Sequence, residues 1–422
     1  MVSGASTRLA RLFRLGHRLG ALGLLGALLS GPVLAAEDLL PSMREEVLML
    51  RKPGLLGGVD LETTLFRPPG DGPFPLVVIN HGKAPGDPRL QARARYLAAS
   101  RELVARGYAV AVPNRQGFSH SGGAYVGAGC NVESNGLTQA EDVIAVLDGL
   151  SRRADLDTRR VVVIGQSHGG LTTLALGAKA PPNVVGLINF AGGLRQETCI
   201  AWEHNLAEAV ASYARRTRLP SLWFYGENDS YFPPPVSGPM FAGYQAAGGH
   251  ARLVSFGVFG RDSHELFGSG GGVRVWLPEV ERFFGELGLP FAVRHRIALA
   301  EHASPPPPAT AFAPLDAVDR VPGLSEAGRN GYAQFLAGAM PRAYAISGDG
   351  HWAWQSGVAD AMAQALARCN TTSHKAGHAD CRLYAVDESV VWSAGAVVAS
   401  PSATPLAAPA LPAASASATA HP

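Results

Sequence analysis

The segment at residues 161–170 constrains the fold of this chain more than any other. Four apolar residues, 161–164, run into the pattern Gly165-x-Ser167-x-Gly169, and helix-compatible residues follow directly. An apolar run of this kind is typical of a strand that is buried on both faces. Passing from such a strand into a helix through this pattern requires a very tight turn, where a side chain at either glycine would clash. The segment therefore predicts that Ser167 projects from the edge of a sheet.

Strand-like and helix-like runs alternate on both sides of this turn. Strands are predicted at 76–80, 108–113, 160–165, 184–190, 221–225 and 251–256. Helices are predicted between and after them at 91–106, 137–152, 171–179, 203–216 and 277–287. This order predicts an α/β domain with a mostly parallel, twisted sheet and helices on both faces. Ligand sites on such sheets form at the carboxyl ends of the strands.

Two loops that follow later strands carry the residues that a serine nucleophile requires. A serine hydroxyl needs a base to accept its proton, and the base needs an acid to orient it. In this fold class the chain order is serine, acid, histidine, which Ser167, Asp229 and His264 satisfy. Glu227, two residues before Asp229, is the alternative acid. There is a simpler, non-catalytic interpretation for two of these residues. Ser167 would then be an incidental serine in a glycine-rich turn, and His264 would be a histidine in a surface loop.

Negative charge on a reacting carbonyl oxygen needs two backbone N–H donors, which form an oxyanion hole. The amide of His168, directly after the nucleophile, is one candidate. The amide of Lys83, after the His81-Gly82 turn that follows the first predicted strand, is the other. A plain turn without this role is the alternative at Lys83.

The first 36 residues have the pattern of a signal peptide. Arginines precede an apolar run, which ends in the small residues 35 and 36. We expect cleavage here and a periplasmic or secreted bacterial protein with no stable membrane span afterwards; a membrane anchor is the alternative. The four arginines of this region account for the formal net charge of +2. The rest of the chain therefore carries no basic excess that would indicate a nucleic-acid partner.

An exported chain meets oxidising conditions, which favour disulfides. Of its four cysteines, Cys130 and Cys199 lie in the α/β region, and Cys369 and Cys381 lie in a later one. This division predicts the pairs Cys130–Cys199 and Cys369–Cys381, with free buried thiols as the alternative. No cysteine or histidine spacing typical of a zinc site occurs, and we expect neither a metal nor a cofactor.

The chain divides into five parts. After the signal peptide at 1–36, the catalytic domain is expected at 37–289, a proline-rich linker at 290–325, and a small disulfide-containing α+β module of unknown role at 326–393. Residues 394–422 consist mainly of Ala, Pro and Ser without charge, a composition that predicts disorder.

Residues 43–289 resemble the α/β-hydrolase superfamily, in particular the branch around dienelactone hydrolase and small bacterial serine esterases. The resemblance rests on His81-Gly82, the residues around Ser167, residues 226–229 and residues 262–264. It implies hydrolysis of carboxylic ester or related acyl bonds through an acyl-enzyme, without a cofactor. Dienelactone hydrolase itself has a cysteine nucleophile, so the serine here favours a serine esterase or a peptidase-like activity.

The sequence therefore predicts an exported serine hydrolase that acts on small-molecule or polymeric esters. Three alternatives remain open: a serine peptidase, an acyltransferase with the same residues, and a non-catalytic binding protein of the cell envelope on a hydrolase scaffold. Binding of a cell-envelope component by the C-terminal module is likewise left open. The module's Trp352 and Trp354 would favour a binding role if they surrounded one groove.

Overall fold

The computed structural model describes residues 39–54, 57–127, 129–300 and 302–393. The predicted signal peptide and the predicted disordered tail lie outside the described residues. Among the described residues, no helix is both long and apolar enough to cross a membrane.

The predicted α/β domain is confirmed, with a sheet of eight strands. The strands are β1 (Glu46–Lys52), β2 (Val59–Phe66), β3 (Phe74–Asn80), β4 (Ala109–Pro113), β5 (Leu156–Gln166), β6 (Val184–Phe190), β7 (Ser221–Tyr225) and β8 (Ala251–Ser255). Their order across the sheet is β1-β2-β4-β3-β5-β6-β7-β8. From β4 to β8 all neighbours pair in parallel, while β1 and β2 are antiparallel additions at one edge.

Six helices cover the two faces of this sheet. They are α1 (Leu97–Ala105), α2 (Val132–Leu150), α3 (His168–Lys179), α4 (Trp202–Arg216), α5 (Pro234–Ala246) and α6 (Val273–Glu286). Helices α2 to α5 pack on one face, and α1 and α6 pack on the other. Successive residues of the central strands alternate between these two cores: Val161 and Val163 face the first, Val162 and Ile164 the second. Burial on both faces explains why the central strands are apolar throughout.

The C-terminal module is an antiparallel sheet with two helices. It contains α7 (Glu326–Ala337), β9 (Arg342–Ile346), β10 (Trp352–Ser356), α8 (Ala361–Lys375), β11 (Arg382–Val386) and β12 (Ser389–Val390), with strand order β10-β9-β11-β12. Its residues form apolar cores of their own. The α+β character predicted for this region is therefore confirmed.

The segment predicted as a linker packs against both parts of the molecule. Phe291 is buried, and the amides of Arg294 and His295 donate to the Ala105 carbonyl of α1. Further along, the Thr310 amide donates to the Val390 carbonyl of the module. These contacts give the proline-rich segment fixed attachments on both sides.

Both predicted disulfides are present. Cys130–Cys199 joins the loop before α2 to the loop before α4, across 69 residues of sequence. Cys369–Cys381 joins α8 to the residue directly before β11, across 12 residues of sequence. No free cysteine occurs among the described residues.

We expect the Cys130–Cys199 bridge to contribute more stability than Cys369–Cys381. Closing the longer loop removes more unfolded-state entropy, which gives about 4 kcal/mol, against about 3 kcal/mol for the shorter one. The measurement is urea unfolding of the double variants Cys130→Ala/Cys199→Ala and Cys369→Ala/Cys381→Ala beside the parent protein. An equal or smaller loss for the first pair would contradict the loop-entropy argument.

Candidate active site

The four loops after β3, β5, β7 and β8 meet at one edge of the sheet, because the carboxyl ends of parallel strands lie together. Residues of all four loops surround a cavity of about 740 Å³. Its lining residues include His81, Lys83, Ser167, Tyr231 and His264. Residues that are far apart in the sequence thus lie together around one cavity.

Ser167 occupies the turn between β5 and α3 in a conformation that is rare for a residue with a side chain. Its φ is 55° and its ψ is −126°. The turn is held by its neighbours: the Ser167 amide donates to Phe190 (2.9 Å), and the Gly193 amide donates to the Ser167 carbonyl (3.0 Å). Such local strain persists where surrounding structure determines the backbone. It keeps the serine side chain at the cavity.

The two glycines of the turn are required by close backbone approaches. A Cβ at Gly165 would lie 2.1 Å from the Gly169 carbonyl oxygen. A Cβ at Gly169 would lie 2.1 Å from the Asn80 carbonyl oxygen. Neither contact can be relieved by moving a flexible side chain, because both involve backbone atoms. This is the clash that the sequence pattern predicts.

His264, which lines the cavity, forms a hydrogen-bonded pair with Asp229. Nδ1 of His264 lies 3.1 Å from Oδ1 and 3.2 Å from Oδ2 of Asp229. Asp229 is 3% exposed, and its Oδ1 also accepts the amides of Tyr231 and Phe232, each at 2.9 Å. A carboxylate held in this way can orient the ring and stabilise its protonated form.

The neighbouring acids have other positions. Glu227, the alternative acid, is exposed, and among the described residues its side chain has no partner. Asp262 accepts hydrogen bonds from the backbone amides of His264 (2.9 Å) and Ser230 (3.1 Å). It therefore stabilises the loop, whereas Asp229 is the acid that binds the imidazole ring. Tyr231 stacks at a tilt over His264, with ring centroids 4.5 Å apart.

The amides proposed for an oxyanion hole flank Ser167. His168 is the first residue of α3, where amides have no intrahelical acceptor. In the loop after β3, the Gly82 amide donates to the Tyr96 hydroxyl (3.0 Å) and the Ala84 amide to Gln91 (3.1 Å). Among the described residues, the Lys83 amide between them has no acceptor. A Cβ on Gly82 would lie 3.2 Å from Cβ of Ser167, which shows how close this loop comes to the serine.

Sequence reasoning missed a hydrogen-bond chain that links three of these loops. Tyr96 accepts from the Gly82 amide and donates to Oε1 of Gln166 (2.8 Å). Nε2 of Gln166 donates to the His264 carbonyl (2.7 Å). Gln166 could have been noticed as the residue before the serine, but nothing in the sequence marks Tyr96.

Two buried histidines, His81 and His168, and the buried Arg115 lie close to one another beside the cavity. His81 accepts the Arg115 amide on Nε2 (3.2 Å), and its Nδ1 lies 2.6 Å from the Gly82 carbonyl, an arrangement that needs a neutral ring. Burial, followed by the charge of Arg115, holds the pKa of His81 well below its usual value. Burial and the charges of Arg115 and Lys83 do the same to the pKa of His168. Arg115, in the loop after β4, is fully buried.

We expect these histidines to reduce stability as the pH falls below about 6.5. The unfolded chain takes up protons there while the folded rings stay neutral, so each histidine costs at most about 1.4 kcal/mol per pH unit. Thermal unfolding between pH 7.5 and 5.5 measures the slope. His168→Gln should reduce it, whereas His204→Gln, at an exposed position, should not. A slope unaffected by His168→Gln would contradict the assignment.

The described residues contain no group of three or more His, Cys, Asp or Glu side chains that could hold a metal ion.

Comparison with known proteins agrees with this architecture. The model of the X-Pro dipeptidyl-peptidase family (S15 family) matches residues 57–231. None of the curated proteins matches the chain.

Solved structures that are similar to the chain include peptidases and an esterase. A puromycin-hydrolyzing peptidase of Mycobacterium tuberculosis is 22% identical over 60% of this chain and 41% of its own, with a TM-score of 0.45. An acylaminoacyl peptidase of Pyrococcus horikoshii is 15% identical over 61% and 43%, with a TM-score of 0.46. Est1E of Butyrivibrio proteoclasticus, solved with ferulic acid, is 18% identical over 55% and 96%, with a TM-score of 0.42. The match thus spans only about two fifths of each peptidase.

The family match covers the part of the chain that contains β2 to β7 and the turn at Ser167. Together with the strand order and the strand–turn–helix geometry, it shows that the chain has the α/β-hydrolase fold.

Proposed function

We propose that this protein is an exported serine hydrolase that cleaves carboxylic esters through a Ser167–His264–Asp229 triad. The observation that carries the proposal is the pairing of a buried Asp229 carboxylate with His264, where His264 lines the same cavity as Ser167 on its strained turn. The two disulfides are consistent with an extracellular protein. The apolar and arginine-containing pattern of residues 1–36 supports export.

In the proposed mechanism, the Ser167 hydroxyl attacks the ester carbonyl while Nε2 of His264 takes its proton. Asp229 holds Nδ1–H of the ring and stabilises the imidazolium that forms. The oxyanion lies between the amides of His168 and Lys83. His264 then gives the proton to the leaving alcohol, which leaves an acyl group on Ser167. A water molecule, deprotonated by His264, releases the acid and restores the serine.

A peptidase is the second candidate, because the matched family is one of X-Pro dipeptidyl-peptidases. The same groups attack esters and amides, so the serine, the histidine and the aspartate serve both reactions. The difference lies in how well the leaving amine is bound and protonated. Assays on matched ester and amide substrates of one acyl group distinguish the two candidates.

Fluorophosphonate labelling tests the proposal directly. A single adduct located on Ser167 by peptide mass, and absent in Ser167→Ala, is the expected result, followed by turnover of 4-nitrophenyl esters. Product analysis with and without an alcohol acceptor separates hydrolysis from acyl transfer. A folded, monodisperse protein that forms no adduct would contradict the proposal and leave a binding protein on a hydrolase scaffold.

We expect Tyr96→Phe to lower kcat about tenfold with little change in KM. Loss of the hydroxyl leaves the Gly82 amide without its acceptor and loosens the loop that carries Lys83, which costs roughly 1–3 kcal/mol. Tyr231→Phe is the matched control, since among the described residues the Tyr231 hydroxyl has no hydrogen-bond partner. Equal effects of both variants on ester turnover would argue against a positioning role for Tyr96.

A further inference from the structure

A second cavity of about 690 Å³ lies between the catalytic domain and the C-terminal module. On the domain side it is lined by the first turns of α1 and α6; on the module side it is lined by α7 and β10. Tyr96 and Gln166 line both this cavity and the one that contains Ser167. The two cavities are therefore adjacent, with these two side chains at their boundary.

Every charged side chain that lines the second cavity, among the described residues, is an arginine: Arg95, Arg101 and Arg274. Arg95 is bound to Glu45, which Arg93 also binds. Arg101 pairs with Glu102, but that carboxylate also binds Arg106 at 2.7 Å. Each of these two carboxylates is thus shared between two guanidinium groups.

Two features show that the described residues do not fully pair the positive charges at this cavity. Arg274, an exposed residue in the first turn of α6, has no acidic partner there. Nε of Arg101 is buried without a hydrogen-bond partner. Buried donors normally find an acceptor, in the protein, in ordered water or in a ligand. An anionic group in the cavity would supply the counter-charge that Arg274 lacks.

The remaining walls are mainly apolar and aromatic. Leu97, Val273 and Leu299 contribute aliphatic surface, and the module contributes Trp354 and Gln334. Trp352 stacks on Tyr344 and, like Trp354, packs against the core of the module, but it does not line the cavity. The cavity thus combines an apolar channel with guanidinium groups.

We propose that this cavity is a second substrate subsite, which binds an apolar arm ending in a carboxylate. This inference rests on the proposed function and names its substrate class: esters with an acidic end group several methylenes from the scissile bond. The module contributes Trp354 to the subsite and so acts in substrate selection. A peptide N-terminus is a poor occupant, because its ammonium group would face the arginines.

Pairs of anionic and neutral esters test the proposed preference for a terminal carboxylate. One pair places the carboxylate on the acyl side of the ester bond, and the other places it on the alcohol side. For the acyl side, 4-nitrophenyl hydrogen suberate is compared with 4-nitrophenyl octanoate; for the alcohol side, 8-butyryloxyoctanoate is compared with octyl butyrate. In at least one pair we expect kcat/KM to be about tenfold higher for the anionic ester, and the preference to weaken with added salt. A ratio near one in both pairs, in an enzyme that hydrolyses 4-nitrophenyl acetate, would overturn the inference.

Variants test whether the preference for the anionic ester arises in this cavity. Arg274→Gln should bring the anionic-to-neutral ratio close to one, and Trp354→Ala should raise KM for both long-chain esters. Arg215→Gln, an exposed arginine on α4 outside both cavities, is the matched control and should retain the ratio. Retention of the ratio in Arg274→Gln would place the anion elsewhere and refute this site.

Calorimetry with sodium suberate separates failure of the subsite from failure of the proposed function. Suberate should bind the parent protein, and Arg274→Gln should weaken its binding about tenfold. Binding without any ester turnover would refute the proposed hydrolysis and keep the subsite. Turnover of acetate esters with no detectable suberate binding would keep the hydrolysis and refute the subsite.

Discussion

Replacing Ser167 with alanine should lower ester turnover about 10⁴-fold or more. The hydroxyl is the only proposed nucleophile, and the rate that remains comes from water attacking a bound substrate beside the His168 and Lys83 amides. The fold should persist, because the turn is held by backbone hydrogen bonds to Phe190 and Gly193. Alanine at φ 55° is no more strained than serine.

The measurement is kcat/KM for 4-nitrophenyl acetate, with thermal unfolding as the check on folding. His264→Ala should show a similar loss, and the double variant should lose little more than either single one, because the two groups act as a unit. If Ser167→Ala retained more than about a tenth of the parent activity in a sample free of contaminating esterase, the proposed nucleophile would be wrong.

Asp229→Asn should lower kcat about 10⁴-fold while the site remains assembled. The asparagine has nearly the same shape, but it lacks the negative charge that stabilises the imidazolium and it can hold the ring in the wrong tautomer. Because the Tyr231 and Phe232 amides donate to Oδ1 of Asp229, the amide oxygen of asparagine can keep those bonds. Its nitrogen would then face His264.

Glu227→Gln is the matched control for this charge. Glu227 lies two residues away on the same loop and is exposed, so its loss should change turnover less than about twofold. The reverse result, a large loss with Glu227→Gln and little with Asp229→Asn, would reassign the acid. Steady-state kinetics of both variants at several pH values decide between the two residues.

The central strands could be predicted because their pattern is local. Residues 184–190 and 221–225 were predicted with the bounds that the structure has, since burial on both faces makes such strands continuously apolar. The edge strands β1 and β2 were not predicted. In β2 the polar residues Glu62 and Thr64 are buried, because distant groups satisfy them: Asn114 donates to Glu62, and the Ala94 carbonyl accepts from Thr64.

Helix α5 was missed for a different reason. It begins at Pro234, and proline-rich residues are typical of loops. Proline is nevertheless compatible with the first turn of a helix, where its missing N–H would have had no acceptor. Packing of Met240 and Tyr244 against the sheet core then stabilises a helix that local propensity does not favour.

The sequence alone determined the turn at Ser167, the order of serine, acid and histidine, and the division of the cysteines into two pairs. These depend on residues that are adjacent, or on the rule that parallel strands end at one edge. Tertiary structure decided which acid reaches His264, the hydrogen-bond chain through Tyr96 and Gln166, and the arginine-lined cavity beside the module. These features join side chains from loops and domains that are far apart in the chain, and their contacts form only when the sheet and the module are packed.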